Sequence, residues 1–169
     1  MGGGSDDDSQ KKILFCTDFS ENSLAAGQCA CEYAKAFGAS LAIVHVTDPW
    51  AVPLAFYVRN IPILIQTVVA DQLQKSVARS VNTELESMTK EFRSALKEVK
   101  TYSRIGIPSE QIVRLAAEEC IDLIVMGTHG RTGFRLMVLG SVAENVLRTA
   151  GCPVLIVRFS AHEPPGGPE

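Results

Sequence analysis

Glycine spacing gives this sequence its clearest chemical signal. Gly127, Gly130 and the pair Gly140-Ser141 follow one another as G-x2-G-x9-G-S, after an apolar run ending at Met126 and before a helical pattern. Lacking a Cβ, glycines accept positive φ and let the backbone come close to a ligand. A helix opened by Gly140 and Ser141 also presents unpaired backbone N–H groups and the positive end of its dipole. Together these features describe a phosphate cradle with room for a triphosphate. Arg131 and Arg135 either screen phosphate charge or face solvent. His129 has no Ser or Cys nucleophile beside it, so no catalytic role is assigned to it or to any other residue. The lysine pattern G-x4-G-K-[ST] is absent, which favours binding over phosphoryl transfer and leaves slow hydrolysis open.

A phosphate loop works only where a strand and a helix hold its ends. Apolar runs at Ile13 to Cys16, Leu41 to Val46, Val99 to Arg104, Ile121 to Met126 and Val154 to Val157 alternate with helical patterns, as in parallel sheets with crossover helices. Four runs are nearly continuous in apolar residues and suit strands covered on both faces, whereas Val99 to Arg104 is polar and suits an edge. The first helix is expected to bury Ala26, Ala30, Tyr33 and Phe37 and to stop at Gly38. The second carries Leu73, Val77, Val81, Leu85, Met88, Phe92 and Leu96 along about six turns. The third starts at Pro108 with Ile112, Leu115 and Ala116 inward and Glu118 and Glu119 outward. The fourth starts at Ser141, which with Glu144 forms a capping-box pattern, and ends near Gly151 before Pro153. Residues 47–68, broken by Pro49, Pro53 and Pro62 yet rich in apolar side chains, read as an apolar loop, either folded over the sheet or serving as a lid or subunit contact.

Length and composition bound the rest. One domain over residues 11–159 fits 169 residues, between tails at 1–10 and 160–169. A formal net charge of -3 gives no electrostatic reason to expect nucleic acid as a partner. No apolar stretch is long enough for a bilayer, and no secretory pattern opens the chain, so neither membrane nor export is expected. Cys16, Cys29, Cys31, Cys120 and Cys152 have neither disulfide-framework nor zinc-finger spacing, which fits reduced, packed thiols in a cytoplasm.

The glycine spacing also matches the G-x2-G-x9-G-[ST] signature of the ATP-binding subgroup of the universal stress protein (UspA-like) family. Ile13 to Asp18 resembles that family's first strand and its acidic end. Gly106-Ile107-Pro108 through Asp122 to Gly127 resembles its third-helix and fourth-strand block, and Ala150 to Val157 its last strand. The resemblance implies an α/β fold in three layers, with helices on both faces of an open twisted parallel five-stranded sheet, adenine-nucleotide alpha-hydrolase-like, in the order 3-2-1-4-5. It implies ATP as ligand, with Mg²⁺ held mainly by the phosphates and no dedicated metal site. Thr17 and Asp18 are then expected at the adenosine side, and Val46 as a backbone partner of adenine. Met126 ends the fourth strand at the same cleft. Gly127, Gly130 and Arg131 are expected along the ribose and phosphates, and the amides of Gly140, Ser141 and Val142 on phosphate oxygens, with the Ser141 hydroxyl as a further donor. Asp18 has a second reading as a cap of the first helix together with Ser20. The resemblance further implies a homodimer through the last strand; any other protein partner stays unknown. Related pyrophosphatases carry a glycine-serine loop after the first strand, where this chain has Thr17-Asp18-Phe19-Ser20, so an ATP-cleaving enzyme is the second reading and a nucleotide-free interaction module the third.

Overall fold

Strand residues point alternately to the two faces of a sheet, and here both faces are apolar. The computed structural model describes residues 10–49, 63–128 and 139–158, the side chains of 63–70 excepted. Five strands, β1 (Lys12–Thr17), β2 (Ser40–Thr47), β3 (Val99–Ile105), β4 (Leu123–Gly127) and β5 (Val154–Val157), alternate with α1 (Glu21–Phe37), α2 (Ile63–Arg93), α3 (Pro108–Glu118) and α4 (Ser141–Thr149). All pairings are parallel and the order is β3-β2-β1-β4-β5, as expected. The chain therefore winds outward from β1 to β3 and returns to β4, which makes the β1–β4 boundary the switch point where open α/β sheets hold ligands. Among the described residues no helix is long and apolar enough to cross a membrane.

Ile13, Phe15, Leu41, Ile43 and Val125 face α1 and α2, where they meet Ala26, Ala30, Val81, Leu85 and Phe92. Leu14, Cys16, Val44, Ile124 and Met126 face α3 and α4, against Ile112, Leu115, Ala143 and Val146. Phe15 is fully buried, and a side chain of that kind contributes about 1.5–3 kcal/mol by leaving water. Gly27 lets α1 settle on it: a Cβ there would stand 2.8 Å from the Phe15 ring.

The first helix differs from expectation on one side. Ala26 and Ala30 are buried, but Tyr33 and Phe37 are exposed, and the inward stripe is Ser23, Ala26, Gly27, Ala30, Cys31 and Ala34. Close approach to Phe15 selects small residues, so the aromatics are displaced to the flank, where their rings lie 5.8 Å apart. Gly38 stops the helix as expected, at φ 61 with its amide on Ala34 and Lys35. The segment 47–68 is not one loop: Thr47 belongs to β2, and α2 begins at Ile63, directly after Pro62 in the sequence. Residues 50–62 lie outside the described residues. The capping box does not form either. Gly140 is the N-cap of α4 and has no side-chain cap bond, so Ser141 is already inside the first turn. The Gly140 carbonyl already accepts the Glu144 amide at 2.9 Å, which makes Gly140 the last non-helical residue, while its own amide donates to the Thr128 carbonyl at 2.8 Å.

Candidate functional site

At the carboxyl edge of the sheet, β1, β2 and β4 and the starts of α1, α3 and α4 surround a cleft of about 210 Å³ that opens to solvent. Thr17, Asp18, Val46, Met126, Gly127, Gly140, Ser141 and Val142 all line it. Gly130 and Arg131 lie outside the described residues, as do His129 and Arg135. The cleft has two ends of different chemistry.

One end is apolar. Cys16 stands in register between Val44 on β2 and Met126 on β4, and these three face Ile112 of α3. Burial, with a smaller contribution from Cys152, pushes the Cys16 thiol well above its ordinary range, so it stays neutral and serves as an apolar floor. A flat aromatic base fits such a surface. Pro108, Ile112, Val44, Cys16, Ser23 and Thr128 also line the cleft, and the sequence reading did not single them out as site residues. For Pro108 a signal existed: in a parallel sheet, each helix after a strand starts near the same edge, so the residue opening α3 belongs beside the cleft.

The other end is polar backbone. Glu144 N–H is the first of α4 to bond within the helix, to the Gly140 carbonyl. The amides of Ser141, Val142 and Ala143 therefore have no partner in their own helix. Gly140 differs from expectation, because its amide is already given to Thr128. Its φ of -74 is ordinary too. Glycine there is needed neither as a free donor nor for a rare conformation. Gly127 is also free of positive φ, and its missing Cβ makes space for the Asn22 carbonyl, which would otherwise lie 3.1 Å away. Thr128 ties the cleft to the sheet edge through its amide, which donates to the Val157 carbonyl at 3.1 Å.

Between the two ends lies the turn after β1. Asp18 Oδ1 accepts from Ser20 N–H at 3.1 Å and from the Ser20 hydroxyl at 2.6 Å, while Ser20 Oγ accepts Ser23 N–H at 3.3 Å as the N-cap of α1. Asp18 thus supports the cap and lines the cleft at once. Ser23 donates to the Ser20 carbonyl at 2.8 Å, which leaves Thr17 as the donor in the 3.0 Å contact between their hydroxyls.

An open doubly wound sheet with its cleft at the switch point defines a class of α/β proteins, many of which hold nucleotides there. The universal stress protein family model matches residues 10–158, and the chain belongs to that family. It is 32% identical over 161 residues to universal stress protein MJ0577 of Methanocaldococcus jannaschii, covering 88% of this chain and 94% of that one. It is 31% identical to universal stress protein YxiE of Bacillus subtilis, covering 87% and 98%. The solved structure of MJ0577 matches with a TM-score of 0.72 at 31% identity over 89% of this chain and 96% of that chain. A universal stress protein solved in complex with cAMP matches with a TM-score of 0.58 at 27% identity, covering 89% and 98%.

Proposed function

We propose that this chain binds ATP in the cleft and acts in the cytoplasm as a nucleotide-dependent regulatory protein of the stress response, holding the nucleotide rather than transforming it. The observation that carries the reading is the meeting, in one cleft, of an apolar floor and a helix start whose first amides have no partner in their own helix. Adenine lies on the floor against Cys16 and Met126, with the Val46 backbone at its edge and Thr17 and Asp18 toward the adenosine. Gly127, Gly130 and Arg131 border the ribose and phosphates. Ser141 and Val142 donate amides to phosphate oxygens, and Gly140 leaves room for them. The complex of a 27% identical relative with cAMP supports an adenine nucleotide as the ligand class. Mg²⁺ is held by phosphates and water, and Asp18 is the one carboxylate among the described lining residues.

The test is nucleotide extraction. Freshly purified protein is precipitated by heat and the supernatant is chromatographed against ATP, ADP and AMP. Near-stoichiometric ATP is expected. Mostly ADP would favour an ATP-cleaving enzyme, and an empty supernatant together with no uptake of added Mg-ATP would sink the proposal in favour of an interaction module.

A further inference from the structure

The turn that carries Thr17 and Asp18 is braced from the far side of the sheet. Cys16 and Val44 are partners in register and face α3 and α4, so the next pair, Thr17 and His45, points to the opposite layer. His45 is 7% exposed, and its Nδ1 lies 2.9 Å from the Thr17 carbonyl oxygen. A carbonyl can only accept, so Nδ1 carries the hydrogen. The Phe19 ring stacks on the imidazole, with centroids 4.4 Å apart and planes at 24°. Phe19 also holds φ 63, in the left-handed region that bulky residues keep only where their surroundings over-determine it. Here the surroundings do so: Phe19 N–H donates to Thr17 Oγ1 at 3.0 Å, and the ring is clamped on His45.

Neither His45 nor Phe19 lines the cleft. Yet the left-handed step at Phe19 reverses the chain directly after Asp18 and so sets where Thr17 and Asp18 face. We infer that His45 and Phe19 are positioning residues for the nucleoside end of the site. The imidazole fixes the Thr17 carbonyl and holds the strained turn closed. This rests on the nucleotide reading above, which makes Thr17 and Asp18 the adenosine contacts.

Calorimetric titration of adenosine and of Mg-ATP into wild type, His45→Leu, His45→Asn and Phe19→Gly tests it, at a temperature where circular dichroism shows each protein folded. His45→Leu is expected to weaken both ligands by the same factor, about tenfold, the order of one lost buried hydrogen bond. His45→Asn keeps a nitrogen donor near the place of Nδ1 and restores most of that affinity. Phe19→Gly accepts φ 63 without strain, so the fold does not depend on the stack, but the loosened turn binds adenosine less tightly. Wild-type affinity in folded His45→Leu or Phe19→Gly overturns the brace, as does a His45→Asn no better than His45→Leu. Wild-type protein that takes up neither ligand overturns the nucleotide reading and the brace with it.

Discussion

Gly140 adopts φ -74 and ψ 152, angles open to every residue, so glycine is not required there by conformation. Gly140→Val should leave the fold intact at a cost under about 1 kcal/mol, since only an N-cap preference is lost. On the proposed reading, its side chain would stand where phosphate approaches the Ser141 and Val142 amides. Mg-ATP affinity should then fall about a hundredfold or more, as expected for two lost charge-assisted hydrogen bonds. Unchanged affinity in calorimetry with a normal melting curve would contradict the assignment. Gly27 makes the complementary case in the core. Alanine there gains about 1 kcal/mol of helix propensity. Against that, its Cβ would meet the fully buried Phe15 ring at 2.8 Å, and overpacking costs about 1–3 kcal/mol. The clash should win, and urea unfolding should show Gly27→Ala to be the less stable protein. The sequence marked the glycines of the loop as a candidate site, and Gly127 and Gly140 do line the cleft. Their individual reasons were not legible, because a missing Cβ looks the same whether it makes room for a ligand, for Asn22 or for nothing.

At the scale of elements, the apolar runs marked the strands because both faces of this sheet are covered, and β3 was legible as an edge from its polar residues. The face of α1 was not. It packs through small residues that hydropathy does not flag, while Tyr33 and Phe37 carry more apolar signal and less burial. The start of α2 was hidden because Pro62 reads equally as a loop breaker and as the residue just before a helix. Ion pairing between elements gives a pH prediction. Asp122, just before β4, accepts from Lys11 Nζ at 2.8 Å and from the Lys12 amide at 2.9 Å, and returns its own amide to the Lys12 carbonyl. Those hydrogen bonds, the Lys11 one first, hold its carboxyl below the usual range against the opposing effect of burial. A carboxyl lowered in the folded state stabilises it above the unfolded-state pKa, and that stability is lost as pH falls through the lower folded value. The Asp122 side chain is 38% exposed, so screening limits the effect to on the order of 0.5 kcal/mol at neutral pH. Urea unfolding should therefore show wild type more stable than Asp122→Asn at pH 7 and the gap closing toward pH 3; a constant gap would mean that the carboxylate charge is not what couples β1 to β4.

The two edges of the sheet differ in a way that bears on the whole molecule. Along β3, Lys100, Thr101 and Ser103 are exposed and Arg104 pairs with Glu118 at 2.6 Å, so a second strand would meet charge and bound polar groups. Along β5, Val154–Val157 is wholly apolar and half-buried, and among the described residues it pairs with β4 alone. A bare apolar edge invites pairing unless something covers it. A second copy related by a two-fold axis would pair β5 with β5 and cover this edge. Sedimentation at several concentrations should find a species near twice the 18.2 kDa chain mass. Ile156→Lys would bring like charges together across the axis while its aliphatic stem keeps some contact with the core. It should weaken the dimer by at least about tenfold, the order of one such repulsive pair together with lost apolar contact. Wild type that stays monomeric at every concentration would rule the pairing out. A dimer that survives Ile156→Lys unchanged would move the interface away from β5, and with it any route from the partner through the Val157 carbonyl and Thr128 to the start of α4.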